Sequence, residues 1–593
     1  MAGAGIESGK AWSRIGAEVA PTSSAAPGVW GDLNEIAENV AACTWPMPTK
    51  GFWTFLGDTT GDEVAYGVSY YAEGGLIQTA AQASAGNNEH VVIARVTDST
   101  GITGSAAAVI TGLRINGDSA PTGTIGYNKG FWWQYSDGIG FNQIGDVWYE
   151  DGSGNFYLVF HGYVGTTYNP PRYHSRLVKL NSSYVVQWSQ VYENTPSLNE
   201  GVQYPTIGEI NGDLVMTTSC YVAQSGNKPL MQIAEVNASN GNMASQARIV
   251  GMGFSYSADQ LQPYQTIVKN KLDAGGSNVG FMCMRNYMSN SSGFPGGGYT
   301  IPGNSQVVQI VEFTYNSSAF SYNSLDNTWY NKSGSNPGQY DLTPADFDVK
   351  NDSKKTFLVA NGAAESVVDT TNKNFVAFCE YDIGQTEGSA DAYILKLQNG
   401  GKNENMSVSG MCLDLANECF YMHGYATNIG AADTSLNSLW IGKFPCSTDG
   451  IPTGSVSWIN SYCNESYSVY AKNGRNGLVL TANNSITSYG YTQCVAGSGT
   501  PAILSLVTVP TDGSAYGGSG SLGGVNLTSH DISSYVLFQH EAASPNVDIG
   551  FSYSATANMA LSTSYSYLQT ATLGTQYDTT LTPNPVEYEN GGV

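Results

Sequence analysis

Between residues 49 and 512 the chain alternates apolar and polar positions over short runs, and each run ends in a cluster of Gly, Asn, Asp, Pro or Ser. Alternation with a period of two, bounded by turn formers, predicts antiparallel strands. The clearest unit is Ser407–Tyr462. A strand over Val408–Leu413 turns at Ala416-Asn417 into an aromatic-rich strand, Cys419–Tyr425. After a polar loop come Leu439–Phe444, a Gly/Pro/Ser turn and a closing strand over Val456–Tyr462 that carries Trp458. Four strands joined by hairpins make a sheet that cannot bury both faces alone, and radial stacking of such sheets gives a β-propeller.

The unit recurs. Its most regular mark is an apolar second strand after a turn: Gly75–Ala80, Asn155–His161, Asp213–Thr218, Val279–Met284, Thr356–Asn361, Glu418–His423 and Gly477–Ala482. The units follow one another at roughly 60–80 residues, longer than compact propeller repeats, with the excess in loops such as 166–173, 289–306 and 426–437. Third strands read as His90–Val96, Arg176–Leu180, Leu230–Val236, Val307–Phe313, Leu439–Phe444 and Ala502–Val509. In the fifth unit the pattern allows either Phe375–Tyr381 or Ala392–Leu397. The count therefore runs from six to eight blades, and the markers favour seven.

Fourth strands carry Trp in Val185–Tyr192, Asn327–Tyr330 and Ser457–Tyr462. The last unit has no such strand, because Pro510 leads straight into a Gly/Ser stretch. Gly51–Gly57, with Phe52, Trp53 and Phe55, fits the missing strand. A ring closed this way has no open edge between its first and last sheets.

Both ends differ from the repeat. In the arm 1–48, Leu33, Ile36, Ala37 and Val40 fall at helical spacing, with Asp32 and Glu35 as a capping box. Trp45-Pro46 ends that helix, since a residue before proline avoids the α region. Residues 513–524 read as a Gly/Ser linker. Residues 525–593 alternate weakly and are nearly free of Lys and Arg, which predicts strands laid on a neighbour or a poorly ordered tail. Segments too small and polar to fold alone gain stability by burying surface against something else, so arm and tail are both expected to hold partners. In the arm, Trp12, Trp30, Leu33, Ile36, Val40 and Trp45 are the expected docking side chains.

Composition sharpens the all-β reading. Charged residues make up 12% of the chain, while 70 Gly and 38 Tyr supply turns and half-buried strand positions. A net charge of −24 with only 24 Lys and Arg argues against nucleic-acid partners and against adsorption to anionic membranes. The N-terminal residues contain no apolar signal core, and no run is long enough to span a membrane. Synthesis in a cytoplasm without a signal peptide is the expectation. Nine Cys, an odd number with no CxxC pair, favour buried free thiols. Cys412 and Cys419 flank one hairpin turn as diagonal neighbours, where a bridge is geometrically allowed.

The segments Leu177–Tyr192 (LVKLNSSYVVQWSQVY), Ile441–Tyr462 and Ile394–Leu397 share one grammar, an apolar–Lys–apolar strand followed by a Trp strand. That grammar resembles the Trp-bearing β-propeller repeats of bacterial surface proteins and of tail proteins from phages of marine bacteria, cyanophages above all. The framing by an arm with Ala42-Cys-Thr-Trp-Pro-Met-Pro48 and a Ser/Thr/Tyr-rich tail is similar to such phage proteins at both ends. The resemblance implies a non-enzymatic virion protein, a tail fibre or tail-associated propeller. It would serve as an assembly platform among other tail proteins, with host surface glycan as a further partner and homo-oligomers on the tail compatible with it. Localisation would be the virion tail. The alternative is a polysaccharide-degrading or glycan-binding propeller enzyme of a tail spike.

The residues themselves supply no catalytic set. Six His are scattered, and His161 and His423 fall at equivalent places of the repeat, each followed by Gly-Tyr, which repeat packing explains. No two carboxylates are singled out for glycoside hydrolysis. Asp58–Glu63 and Glu150–Asn155 lack the full calcium-loop pattern and read as hairpin turns. No cofactor or metal is expected.

Overall fold

The computed structural model describes the strands between Gly51 and Tyr588 and short turns beside them, among them 211–212, 237–242, 415–418, 446–457 and 511–513. Residues 1–50 and 589–593, and the longer connections, lie outside the described residues. The arm with Trp12, Trp30, Leu33, Ile36, Val40 and Trp45 therefore falls outside them, as does Asp58–Glu63. Every described element is a strand except two single turns of 3-10 helix, Leu415–Asn417 and Ser533–Tyr535. The described residues are all-β.

Five sheets repeat one plan, four consecutive antiparallel strands in chain order. Sheet II holds Gly140–Glu150, Asn155–Val164, Arg172–Leu180 and Val186–Tyr192. Sheet III holds Glu200–Ile210, Asp213–Val222, Lys228–Val236 and Met243–Gly251. Sheet IV holds Gln265–Leu272, Val279–Met288, Ser305–Asn316 and Ala319–Lys332. Sheet V holds Tyr340–Val349, Lys355–Ala364, Asn374–Asp382 and Asp391–Leu397, which settles the open fifth unit: Phe375–Tyr381 is its third strand and Ala392–Leu397 its fourth. Sheet VI holds Met406–Asp414, Cys419–Thr427, Asn437–Pro445 and Trp458–Asn464.

Sheet I has twelve strands and contains two meanders. One comprises Gly67–Val68, Gly75–Leu76, Glu89–Asp98, Val109–Asn116 and Gly130–Gln134. The other comprises Val469–Ala471, Leu478–Leu480, Ser485–Gln493 and Ala502–Pro510, with Gly51–Leu56 at its edge. The single pair Val68–Ala502 joins them. Phe52 faces Thr508, Trp53 Val507 and Leu56 Leu504, so an early strand of the chain does complete the sheet that lacks its own fourth strand.

The tail is sheet, not a free end. Val525–Asp531 pairs with Trp458–Asn464, Val536–His540 with Asp391–Leu397, and Ile549–Ala555 with Ala319–Lys332. Met559–Ser562 pairs with Met243–Gly251, Gln569–Thr570 with Val186–Tyr192, Thr575–Thr579 with Gly130–Gln134, and Pro583–Tyr588 with Gly51–Leu56. The stretch read from composition as a linker also contributes a strand, Ser519–Leu522, hairpinned onto Val525–Asp531.

The first strand of each sheet leans on the sheet before it. Glu200–Ile210 packs on sheet II, Gln265–Leu272 on sheet III, Tyr340–Val349 on sheet IV and Met406–Asp414 on sheet V. Sheet VI packs on Val469–Ala471 and Leu478–Leu480, and Gly75–Leu76 and Glu89–Asp98 pack on Gly140–Glu150. The apolar layers lie between sheets. Phe378, Phe420 and Phe444 stack at 4.5 and 5.2 Å between sheets V and VI. Tyr421, Ile441 and Trp458 meet Val469, Ile486 and Val507 between sheets VI and I. Each such side chain contributes about 1.5–3 kcal/mol on full burial, so the alternating strands are held by both faces.

Candidate functional site

The best-defined constellation is a contact repeated between sheets. In Val186–Tyr192, residues two apart share one face of the strand, so Trp188, Gln190 and Tyr192 point together toward sheet III. They meet the turn 237–242 between its third and fourth strands. The Trp188 indole N–H donates to the Ala238 carbonyl at 3.1 Å, the Gln190 amide to Asn240 O at 3.0 Å, and the Tyr192 hydroxyl to Gly241 O at 2.7 Å. Lys179 Nζ also reaches Ala238 O, at 2.8 Å, and lies 5.4 Å from the ring centre of Tyr157. Gly241 adopts φ +75°, and the turn closes through its N–H on Asn237 O.

The same set recurs one interface before the chain leaves the repeat. Trp458 Nε1 donates to Thr511 O at 3.0 Å and Asn460 Nδ2 to Gly513 O at 3.1 Å. Lys443 stands 5.7 Å from the Tyr421 ring, and Gly513 adopts φ +74°. Thus Tyr157, Lys179, Trp188, Gln190 and Gly241 correspond to Tyr421, Lys443, Trp458, Asn460 and Gly513. Between sheets V and VI the fourth strand lacks Trp. There Gly450, at φ +84°, approaches Phe357, and Lys350 pairs with Asp449 at 2.9 Å.

Polar side chains stitch the sheets elsewhere too. Asp346, 1% exposed beside a bulge, accepts from Phe347 N at 2.9 Å and from Met411 N of the next sheet at 3.2 Å. Asn361 grips Val408 through both backbone groups, at 2.9 and 2.7 Å. His423, fully buried, shares a 2.7 Å hydrogen bond between its Nδ1 and Ser488 Oγ, joining sheets VI and I.

The shared His-Gly-Tyr context does not make His161 and His423 equivalent. His161 lies four residues after Tyr157 and faces Gln143, whereas His423 lies two after Tyr421 and faces Gly410. Among the other histidines, His530 is exposed and His540 meets the Tyr393 ring edge-on at 5.0 Å. His90 and His174 fall in strands facing Ile115 and Gly162. Glu150 ends a strand, with 151–154 outside the described residues.

Neither Cys412 nor Cys419, beside this contact, is in a disulfide. Register puts Cys412 opposite Tyr421 and Asp414 opposite Cys419, so the two cysteines are diagonal neighbours without a bridge. Cys419 Sγ lies 3.7 Å from Tyr421 Oη and 3.8 Å from Asp414 Oδ2. Burial pushes the Cys419 thiol up and pushes Cys446 up to about 12. Both stay protonated at neutral pH, and the thiolate is the reactive form. Among the described residues no three His, Cys, Asp or Glu side chains are grouped to hold a metal.

The Trp strands were visible in the sequence. The glycine turns that receive them, Asn237-Ala-Ser-Asn-Gly241 and Pro510-Thr-Asp-Gly513, were not singled out. Their signal is a polar turn with Gly after a third strand.

No family model matches the chain, and no curated protein matches it. Among solved structures, the crystal structure of polysaccharide lyase Uly1 aligns with a TM-score of 0.36 at 11% identity, covering 71% of this chain and 88% of that one. At that score the likeness carries no argument about function.

Proposed function

We propose that the chain is one β-propeller of seven four-stranded blades acting as a rigid, non-catalytic platform, a structural component of a phage tail. On this reading sheet I is two blades joined by the Val68–Ala502 pair, and the sheets succeed one another around an axis. One observation carries the reading. Residues 52–56 lie between 504–508 and 583–587, so the blade nearest the arm is sewn from both ends of the chain. A body without open blade edges holds its loops and its arm in fixed relation, as a platform requires. The side chains of Trp188, Gln190, Trp458, Asn460 and Asp346 support it, being engaged between sheets rather than gathered in a cleft.

Partner docking falls to the arm, through Trp12, Trp30, Leu33, Ile36, Val40 and Trp45, onto other tail proteins. The tail 525–588, whose backbone pairs with the chain's own sheets, is withdrawn from that role. Host surface glycan is the second partner class, met by the long loops. Reconstitution tests the proposal: the full chain should join isolated tails, and a chain lacking 1–48 should not. Equal incorporation would overturn it. Depolymerisation of host envelope glycan by purified protein would replace it with the enzymatic reading.

A further inference from the structure

We infer that residues 525–588 form a strap that fastens the circuit of sheets from outside and is released from its C-terminal end. The inference rests on strand pairs and on neither the blade count nor the proposed tail role. The strap adds a strand to the outer edge of sheets VI, V, IV, III and II in turn, then to both meanders of sheet I. This order reverses that in which the sheets were laid down. Each step from one sheet to the next crosses a junction, so sheets so joined cannot part until the strap between them has peeled.

The hold is made of weak links in series. Gln569–Thr570 offers two residue pairs and Met559–Ser562 four, each marginal alone. Tethering makes the rebinding of every segment intramolecular, so the series holds where a single segment would not. At sheets V and VI side chains add to it. Phe538 is 4% exposed, with Phe444 at 5.0 Å and Tyr393 at 5.5 Å, and Ile532 lies in the same apolar layer.

The two ends of the strap differ. Val525–Asp531 is paired on both edges, by Trp458–Asn464 and by Ser519–Leu522. Among the described residues Pro583–Tyr588 is paired on one edge, to Gly51–Leu56. Alternate residues of an antiparallel strand direct their N–H groups to opposite edges. Pro583 and Pro585 have no N–H and lie two apart, so the edge of this strand to which they point lacks two donors. An edge short of donors gives a weaker ladder.

Native-state hydrogen exchange tests this on the full chain, a chain ending at residue 581, and full-length Val586→Pro. In the full chain, exchange along the strap should slow from 583–588 toward 525–531, and a flat profile would overturn the inference. In both variants the amides of 51–56 should exchange roughly tenfold faster or more, while those of Cys419–Thr427 keep their protection. Unchanged exchange at 51–56, or equal acceleration of all strands, would also overturn it. Should the shortened chain fail to fold, the full-chain profile and Val586→Pro decide the matter.

Discussion

Gly513 lies flat against the indole of Trp458, so close that a methyl group there would stand 2.5 Å from the ring. Gly241 holds the same position on Trp188, at 2.7 Å. The later contact survives although the chain leaves the repeat just after Pro510, where its fourth strand is supplied by Gly51–Leu56 instead. The turn is retained for its fit to the indole.

Substitution of that glycine should therefore be costly. Gly513→Ala and Gly241→Ala each impose a left-handed backbone on a side chain and drive Cβ into an indole, and should destabilise by about 2 kcal/mol or more. Gly212→Ala is the control: its φ is +83°, with nothing within 4 Å of the added carbon. It should cost only about 1 kcal/mol. Urea midpoints of the three variants check the difference.

Within sheet V, Lys355 is paired with Glu380, whose side chain is 7% exposed. Lys355→Met removes that cation from a buried carboxylate and should destabilise by about 3 kcal/mol. Lys355→Met with Glu380→Gln should recover most of the loss. By contrast, Asp449→Asn at the exposed Lys350 pair should leave the unfolding midpoint unchanged.

Stability should fall on the alkaline side. Burial raises the Cys446 thiol from 9.0 to about 12, so the folded state keeps a proton that the unfolded chain releases. Stability from this group is fully present below pH 9 and is lost as pH rises toward about 12. Buried Tyr192, Tyr421 and Tyr462, also raised by desolvation, act in the same direction from about pH 10 upward. Unfolding midpoints at pH 7, 9 and 10.5 should decline, and Cys446→Ala should flatten the decline. Alkylation of the native protein without reductant should leave these thiols unlabelled.

Deleting residues 1–56 should expose the edges of Ala502–Pro510 and Pro583–Tyr588 together. Unfolding should lose cooperativity, seen as a broadened calorimetric transition. An unchanged transition would refute closure by this strand.

The meanders were legible because their signal is local: alternating apolar residues, a turn, then Trp at the fourth strand. Even the edge strand Phe52–Phe55 could be assigned, since Pro510 left one unit short. The docking of the tail left no comparable mark. Backbone pairing accepts polar residues such as Gln569 and Thr570, and a strand added at an outer edge needs little apolar alternation. The glycine turns were hidden for another reason, because their partners lie about fifty residues away, as Trp188 does from Ala238. His161 and His423 show the opposite error. A shared tripeptide suggested equivalence, but it begins four residues after Tyr157 and two after Tyr421, so the two histidines occupy different steps along the second strand.

The ladder between Gly51–Leu56 and Pro583–Tyr588 has a mechanical meaning. Gly51 faces Tyr588 and Leu56 faces Pro583, so Gly51 and Tyr588 stand together at one end of the ladder. Tension applied between whatever is attached at those two points would open the pairs one at a time, like a zip, instead of loading them all in shear. The first give under such a pull would be this ladder, at low force, with the sheets behind it unstrained. Load entering through Gly51 alone would instead run along the strand and be shared by its two neighbours, 502–510 and 583–588.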